Sequence, residues 1–446
     1  MQELNITANQ LIASLLSIAG TDNVCILDSC GVGHLGSHLM IAGIRPLEIY
    51  QFSSEDIEST LKKFDEKLSS PELAAIFTIS YDFGLKLQKI IPKKKEKRSE
   101  PDIFLALFDC LIIHDYDTGK TRITGNENGF SIIVGLIDNA RSSKLKFNTL
   151  RSGDADSNFT KDAYLRSIDT IKDRIRAGET YQTNLTQQMR VDLPVGMTAG
   201  QIFSNLRTNH PAPFASFLVR NDSTVISASP ERFLSIKGRN VSVSPIKGTR
   251  PRGTTPNEDT KLRNELLASE KDRAENTMIV DLMRNDLGRV CEFGSVHVEK
   301  LCDLEEHPTL FHLVSTVTGK LKDSIGYSDI IKAVFPCGSI TGAPKIRTMQ
   351  IIEDIEPVNR GLSMGAIGYR IPSGKFGISE SFDMSVAIRT MVVRNQKAVF
   401  NVGGGIVIDS EPESEYNETL LKSRALLDAM GSEFRPNAGL NLLDSS

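Results

Sequence analysis

An α+β chain built on antiparallel sheets is the fold class predicted here, and three patterns predict it. Short strand-like runs come in pairs separated by polar turns, helix-like runs are gathered in blocks, and no regular strand–helix alternation appears. The length, 446 residues, exceeds one ordinary core and fits one large mixed domain or two intimate ones. Hydrophobic content of 40% with 24% charged residues is that of a soluble globular chain. A net charge of -4 gives no general attraction to nucleic acid. The start, Met1-Gln-Glu-Leu-Asn5, has no basic segment before an apolar run, so no signal peptide is expected. No run approaches the ~20 apolar residues that span a bilayer. Six scattered cysteines without a Cys-x-x-Cys pair predict reduced thiols and a cytoplasmic setting.

Two segments punctuate the chain. Pro92–Pro101 is a charged, proline-flanked stretch expected to be an exposed loop. Asn139–Asn158 is rich in Arg, Ser, Gly and Asp, and is expected to join an N-terminal region (1–150) to a second part (159–430). Beyond it, Tyr164, Ile168, Ile171 and Ile175 recur at helical spacing, and Gly178 supplies a stop. Phe214–Val219 and Val225–Ala228, then Phe233–Ile236 and Val241–Val243, flank turn residues and predict an antiparallel meander. Leu262–Leu287 is helical in character. Gly365–Ile371, Met384–Val393 and Ala398–Val402 read as strands, and Pro412–Met430 as a last helix.

The chemistry-bearing residues begin with Lys247, in Ser244-Pro-Ile-Lys-Gly-Thr-Arg-Pro-Arg-Gly253. An amine held in a partly dry pocket loses some preference for its proton and becomes a nucleophile; an ordinary loop lysine is the plain alternative. Asp272 and Glu275 lie three apart on one helix face, and Glu415 and Glu418 repeat that spacing. If the faces meet, hard oxygen ligands converge in a manner suited to magnesium; either pair alone reads as a solvated face. Gly338–Lys345 and Gly403–Gly405 are glycine-rich segments able to aim amides at an anion, or simple turns. The first lacks the order of a nucleotide P-loop. Arg389 is polar in an apolar run and calls for an anionic partner. Gln182 and Asn184 are polar in a strand-like run. His34 and His38 have the spacing of a helical metal pair, weakened by Gly33 and Gly36, and His312 reads as a core histidine.

Taken together, these segments resemble the chorismate-utilising enzymes. The resemblance rests on Gly178-Glu-Thr-Tyr-Gln-Thr-Asn-Leu185, Ser229-Pro-Glu-Arg-Phe233, the Lys247 motif and Lys271–Asp286. His312-Leu-Val-Ser-Thr316, Gly338–Lys345, Gly365-Ala-Ile-Gly-Tyr369, Gly403–Val407 and Glu415-Tyr-Asn-Glu-Thr419 complete it. These cover roughly residues 160 to 430; Ile79–Gly84 and Pro101–Ile113 extend it more faintly into the N-terminal region. The resemblance implies an anthranilate-synthase-like α/β/β/α sandwich with large antiparallel sheets and a chorismate-binding catalytic part at 159–430.

Within the family, a lysine at position 247 implies the aminodeoxychorismate synthase component I branch, since anthranilate synthases typically carry alanine there. Gln182, where isochorismate and salicylate synthases carry their water-activating lysine, disfavours those. Anthranilate synthase component I remains the alternative, and a catalytically silent chorismate-binding subunit a second. The resemblance implies Mg2+ held by Glu275 and Glu418 with Asp272 and Glu415 in support, Lys247 as covalent nucleophile, and Glu231 as general acid. It implies substrate contacts from Arg389, Tyr369, Gly403, Gly404 and Gly405, with His312, Ser339, Gly248, Thr249 and Lys422 lining the pocket and Gln182 orienting the incoming nucleophile. Cys337 departs from the glycine common in relatives. Feedback control by tryptophan is doubtful, because Ile26–Gly31 matches the regulatory element only in part. With no glutaminase segment visible, ammonia is expected from a separate glutamine amidotransferase subunit or from free ammonium.

Overall fold

The computed structural model describes residues 1–33, 38–94, 99–141, 150–306 and 310–434. Among them a twelve-stranded and a ten-stranded sheet, antiparallel in their strand pairings, pack face to face. Cys25, Ile76, Phe104, Leu218, Val225 and Ile367 fill the layer between the sheets. On the outer face of the larger sheet, Leu11, Leu15, Phe203, Leu426 and Met430 bring helices Ala8–Ile18, Ala199–Asn209 and Pro412–Met430 onto Ile26, Met189 and Phe400. On the smaller sheet, Phe64, Ile279, Met283 and Ile331 seat helices Ile57–Leu68, Glu270–Gly288 and Tyr327–Val334. The α/β/β/α sandwich expected from the resemblance is the architecture found. Both sheets are shared: in each, strands from before residue 150 form one contiguous block that joins the strands from after it, through Cys25–Asp28 beside Ala215–Leu218 in the larger sheet and Ala75–Ile79 beside Ala366–Arg370 in the smaller. No helix among the described residues is long and apolar enough to cross a membrane. All six cysteines are free thiols.

The helix Lys161–Arg176 follows the expected pattern: the Thr160 hydroxyl caps the Ala163 amide, and Tyr164, Ile168 and Ile171 are fully buried. Gly178, at φ 74°, donates its amide to the Ile175 carbonyl just past the helix end. The junction Asn139–Asn158 begins inside the helix Phe130–Arg141, and residues 142–149 lie outside the described residues, as do 95–98 of the Pro92–Pro101 stretch.

Three expectations need correction, for related reasons. The meander is two hairpins in different sheets: Phe214–Val219 pairs Thr224–Ser229 in the larger sheet, whereas Arg232–Lys237 pairs Asn240–Val243 in the smaller. The chain changes sheet at Ser229-Pro230-Glu231. Likewise Met384–Val393 is not one strand but the ends of Ser381–Val386 and Thr390–Arg394, again in opposite sheets. Arg389 lies in that second crossover at φ 48°, outside any strand. The strands on either side of each crossing are buried in both sheets, so periodicity does not register the change. Leu262–Leu287, finally, divides into Pro256–Ala268 and Glu270–Gly288 at Ser269, whose hydroxyl accepts from the Asp272 amide.

Candidate active site

The two sheet changes meet at one place and position the first functional side chain. The Ser229 hydroxyl donates to the Val386 carbonyl at 2.6 Å, and the Glu231 carbonyl accepts from the Val386 amide at 3.1 Å. Glu231 is thereby pinned at the crossover, 6% exposed, with its Oε1 lacking any hydrogen-bond partner. Burial pushes its pKa up to about 7, against the opposing pull of the Ser339 hydroxyl, the Lys247 charge and the Ile246 backbone. A carboxyl holding a proton near neutrality is fit to act as an acid.

Lys247 comes from an irregular edge. In the pairing of Ile246–Pro251 with Leu310–Lys320, Ile246 faces Val314 and Thr249 faces His312, so one extra residue bulges out at Lys247 and Gly248. Gly248 sits at φ 85°, and a Cβ there would lie 3.0 Å from the Asp272 side chain. Glycine thus satisfies the backbone angle and lets the bulge rest on the helix that carries the first carboxylate pair. Thr249 Oγ1 meets His312 Nδ1 at 2.9 Å, tying the far side of the bulge to the neighbouring strand.

Lys247 is the common neighbour of the acidic groups: its charge lowers the proton affinity of Glu231, Glu275 and Glu418. The two carboxylate faces are therefore within electrostatic reach of each other. Burial raises the pKa of Glu275, with Asp272 and Glu415 adding to the rise and Lys247 and Lys271 opposing it. For Glu418, burial is outweighed by Lys422 at 2.8 Å, with Lys271 and Lys247 behind it, and the pKa is lowered. Glu415 accepts the Ser410 hydroxyl at 2.7 Å and has Lys271 at 3.8 Å; Asp272 has Arg250 at 3.4 Å. No three His, Cys, Asp or Glu side chains among the described residues stand at metal-ligand spacing. Four carboxylates from two helices are nonetheless a hard-oxygen set of the kind magnesium takes.

The opposite wall is made by strands Gln182–Asp192 and Lys397–Ile406. Gly403–Gly405 belong to the second strand itself, correcting the expectation of a loop after it, and pair with Thr186, Leu185 and Asn184. A Cβ on Gly405 would lie 2.5 Å from Gln182 Nε2, and one on Gly404 3.4 Å from Glu415 and 3.6 Å from Lys422. Lys422 Nζ donates to the Gly403 carbonyl at 3.1 Å. Gln182 is fully buried with both side-chain polar atoms unpartnered, and Asn184 Nδ2 is unpartnered beside it. Such atoms are costly unless a ligand or water meets them. The Arg389 guanidinium has no partner among the described residues, and burial pushes its pKa down. A methyl on Gly403 would run into the Leu185 carbonyl. Gly403→Ala is accordingly expected to cost about 1–3 kcal/mol in denaturant unfolding, and an unchanged midpoint would show that the strand pair can yield.

Other predicted residues lie elsewhere. Strand alternation carries Tyr369, with Ile367 and Ile371, into the layer between the sheets. There it lines a cavity of about 40 Å³ with Asp28, Pro213, Phe214 and Asp383, none of which belongs to the set around Lys247. Gly338–Lys345 is no anion cradle: Gly342–Ala343 pairs with Gln182–Thr183, and Lys345 is buried against Asp286 and the Val334 carbonyl. His34 lies outside the described residues. His38 has both ring nitrogens engaged, by Asp117 at 2.6 Å and the Gly31 carbonyl at 2.9 Å. Lys271, Arg250 and Ser410 flank the carboxylates, and only their closeness in sequence to Asp272, Lys247 and Glu415 hints at them.

Residues 26–428 match the family model described as chorismate binding enzyme. The chain is 36% identical to aminodeoxychorismate synthase component 1 of Bacillus subtilis, over 80% of this chain and 76% of that one. It is 42% identical to an anthranilate synthase component 1 of Haloarcula marismortui, over 80% and 75% respectively. Among solved structures, anthranilate synthase component I from Streptococcus pneumoniae superposes with a TM-score of 0.77 at 26% identity, covering 89% of this chain and 93% of that one. The chain belongs to the family of chorismate binding enzymes.

Proposed function

We propose that this chain is an aminodeoxychorismate synthase component I, converting chorismate and ammonia to 4-amino-4-deoxychorismate for 4-aminobenzoate and folate synthesis. The observation that carries the reading is Lys247, whose charge acts on the Glu231 carboxyl and on a carboxylate of each helix pair, Glu275 and Glu418. In this reading Glu275 and Glu418, with Asp272 and Glu415, hold Mg2+, which when bound offsets the charge of the substrate's ring carboxylate. Arg389 and the amides of Gly403–Gly405 take the second carboxylate. Lys247 Nζ bonds to ring carbon two while the ring double bonds shift and the bond from carbon four to its hydroxyl breaks. Glu231 gives that hydroxyl its proton, so water leaves. Ammonia then bonds to carbon four, the double bonds shift back, and Lys247 departs as the amine. Gln182, with its free amide, orients the incoming ammonia. A glutamine amidotransferase partner supplies it, and the setting is cytoplasmic.

Incubating the purified chain with chorismate, magnesium and ammonium and weighing the product tests this directly. The expected product has an amine in place of the hydroxyl and yields 4-aminobenzoate with a lyase. The second reading, anthranilate synthase, is favoured by the 42% identity to the Haloarcula protein. Fluorescent anthranilate with released pyruvate would establish it instead.

A further inference from the structure

Part of the smaller sheet carries a polar face that the proposed chemistry leaves unused. Strand pairing sets Lys237 opposite Asn240, and Asn240 opposite Lys320, in one row across three strands. In the next row Ser235 lies opposite Ser242, Ser242 opposite Thr318, and Thr318 opposite His297. Residues directly opposite between strands, or two apart along one, share a face, so both rows look the same way. Their neighbours Ile236, Val241 and Val317 take the other face, under the helices. The apolar layer between the sheets takes no residue from these strands, and a cavity of about 560 Å³ lies over the polar rows instead.

Alternation along a half-buried sheet explains a polar face, but not its sign. Lys237, Lys320, Arg232 and His297 line this cavity and no Asp or Glu does, in a chain with 56 Asp and Glu against 52 Lys and Arg. Arg232 is engaged by Asp383 at 3.1 Å. Lys320 meets Glu292 at 3.3 Å, a carboxylate that Arg239 holds more closely at 2.7 Å. Lys237 is in no ion pair among the described residues, and the acid its charge reaches, Asp383, already has Arg232. Among the same residues neither the Asn240 amide nor the Ser242 hydroxyl has a hydrogen-bond partner. His297 closes the far edge: its Nδ1 faces the Ser295 carbonyl at 3.0 Å and so carries a proton, leaving Nε2 to accept the Thr318 hydroxyl at 3.0 Å.

We propose that this face binds a small dianion, a molecule carrying two carboxylate or phosphate groups. One group is held at Lys237 and the other at Lys320, with the Asn240 amide and the Ser242 hydroxyl donating between them. The strands bearing the two lysines are separated by one other, about 10 Å in all, and the long lysine stems close on groups that lie nearer together. Glu292 keeps Arg239 when Lys320 turns to the ligand, so the exchange leaves no bare carboxylate. The site is separate from the Lys247 set and does not rest on its chemistry. Thr318 stands six residues along its strand from His312, which is about 20 Å.

Inorganic pyrophosphate and glutarate are the two probes, added to the full chain with isotope-labelled histidine rings at constant pH and ionic strength. The His297 ring signal, assigned by its loss in His297→Gln, reads this site, and the His312 signal reads the Lys247 site. The His297 signal is expected to shift and to saturate at about a millimolar or below with at least one probe. The tighter of the two tells a phosphate-bearing ligand from a dicarboxylate. Lys237→Ala and Lys320→Ala should each weaken that binding about two- to fivefold, and the double variant should abolish saturation. Both lysines are exposed, so these substitutions spare the fold. The response of His312, if it has one, should be the same in all the variants. A His297 signal unmoved by both probes overturns the proposal. So does a shift that sodium chloride of equal ionic strength reproduces, or one that survives the double substitution. A saturating shift confined to His312 overturns it too, because the anion then sits only in the Lys247 site.

Discussion

Lys247→Ala is expected to lower 4-amino-4-deoxychorismate formation on the order of a thousandfold or more, because it deletes the nucleophile and not a mere contact. The effect should fall on kcat, since Glu275, Glu418 and Arg389, which do the binding in this reading, remain. Removing the side chain also opens space at ring carbon two beside the Gly248 bulge. Ammonia entering there would place its nitrogen on carbon two, so a small yield of anthranilate-type product with pyruvate is expected. Fluorescence and mass detection read both products in one assay. In the wild type, protein mass after rapid quenching should show a fraction carrying the substrate less water, and the variant none. A Lys247→Ala chain that turns over at the wild-type rate, or a wild-type chain that yields anthranilate from the outset, would sink the covalent role.

The residues carrying that chemistry were legible in the sequence because the chemistry restricts residue type. A lysine beside a flexible glycine and carboxylates three apart on a helix show in one dimension, and the resemblance supplied the acid in its motif and the roles. The Lys247 charge reaches Glu231, Glu275 and Glu418 alike. The α+β class with antiparallel sheets was legible too, from hairpin-sized runs without βαβ alternation, whereas the sandwich came from the resemblance. The changes of sheet were not. Ser229–Glu231 and Ala387–Arg389 join strands that are buried in both sheets, and a break in the sequence does not say which sheet the chain enters next. Those crossings are what bring Glu231 and Arg389 out of the sheets and toward the site. Tyr369 went astray for a related reason. Its motif neighbours suggest the pocket, but the parity of the strand decides which face it takes, and that parity sends it between the sheets with Ile367. The orphaned amide of Gln182 had no sequence signal at all, since burial without a partner is a property of three dimensions.

Glu231→Gln separates an acid catalyst from a buried structural carboxyl, because the two roles predict opposite things about pH. The substitution keeps the size and loses the transferable proton, and turnover is expected to fall roughly a hundred- to ten-thousandfold. In the wild type, burial holds the Glu231 pKa at about 7, so the proton-donating form dominates below that pH and is lost above it. The activity profile should therefore decline on the alkaline side near neutrality, and the residual activity of Glu231→Gln should lack that limb. Stability runs the same way. The folded-state pKa lies above the unfolded value, so the folded chain binds more protons between the two. Its contribution is complete below the unfolded pKa and is lost as pH rises through about 7. A shift of this size corresponds to roughly 3 kcal/mol between the two limits. Glutamine has no such titration, so denaturant unfolding at about pH 5 and about pH 8.5 should show Glu231→Gln gaining on the wild type at the higher pH. A variant that gains stability there while losing turnover marks a site that keeps a strained carboxyl for its proton. One that gains stability and keeps turnover would place the acid on another group.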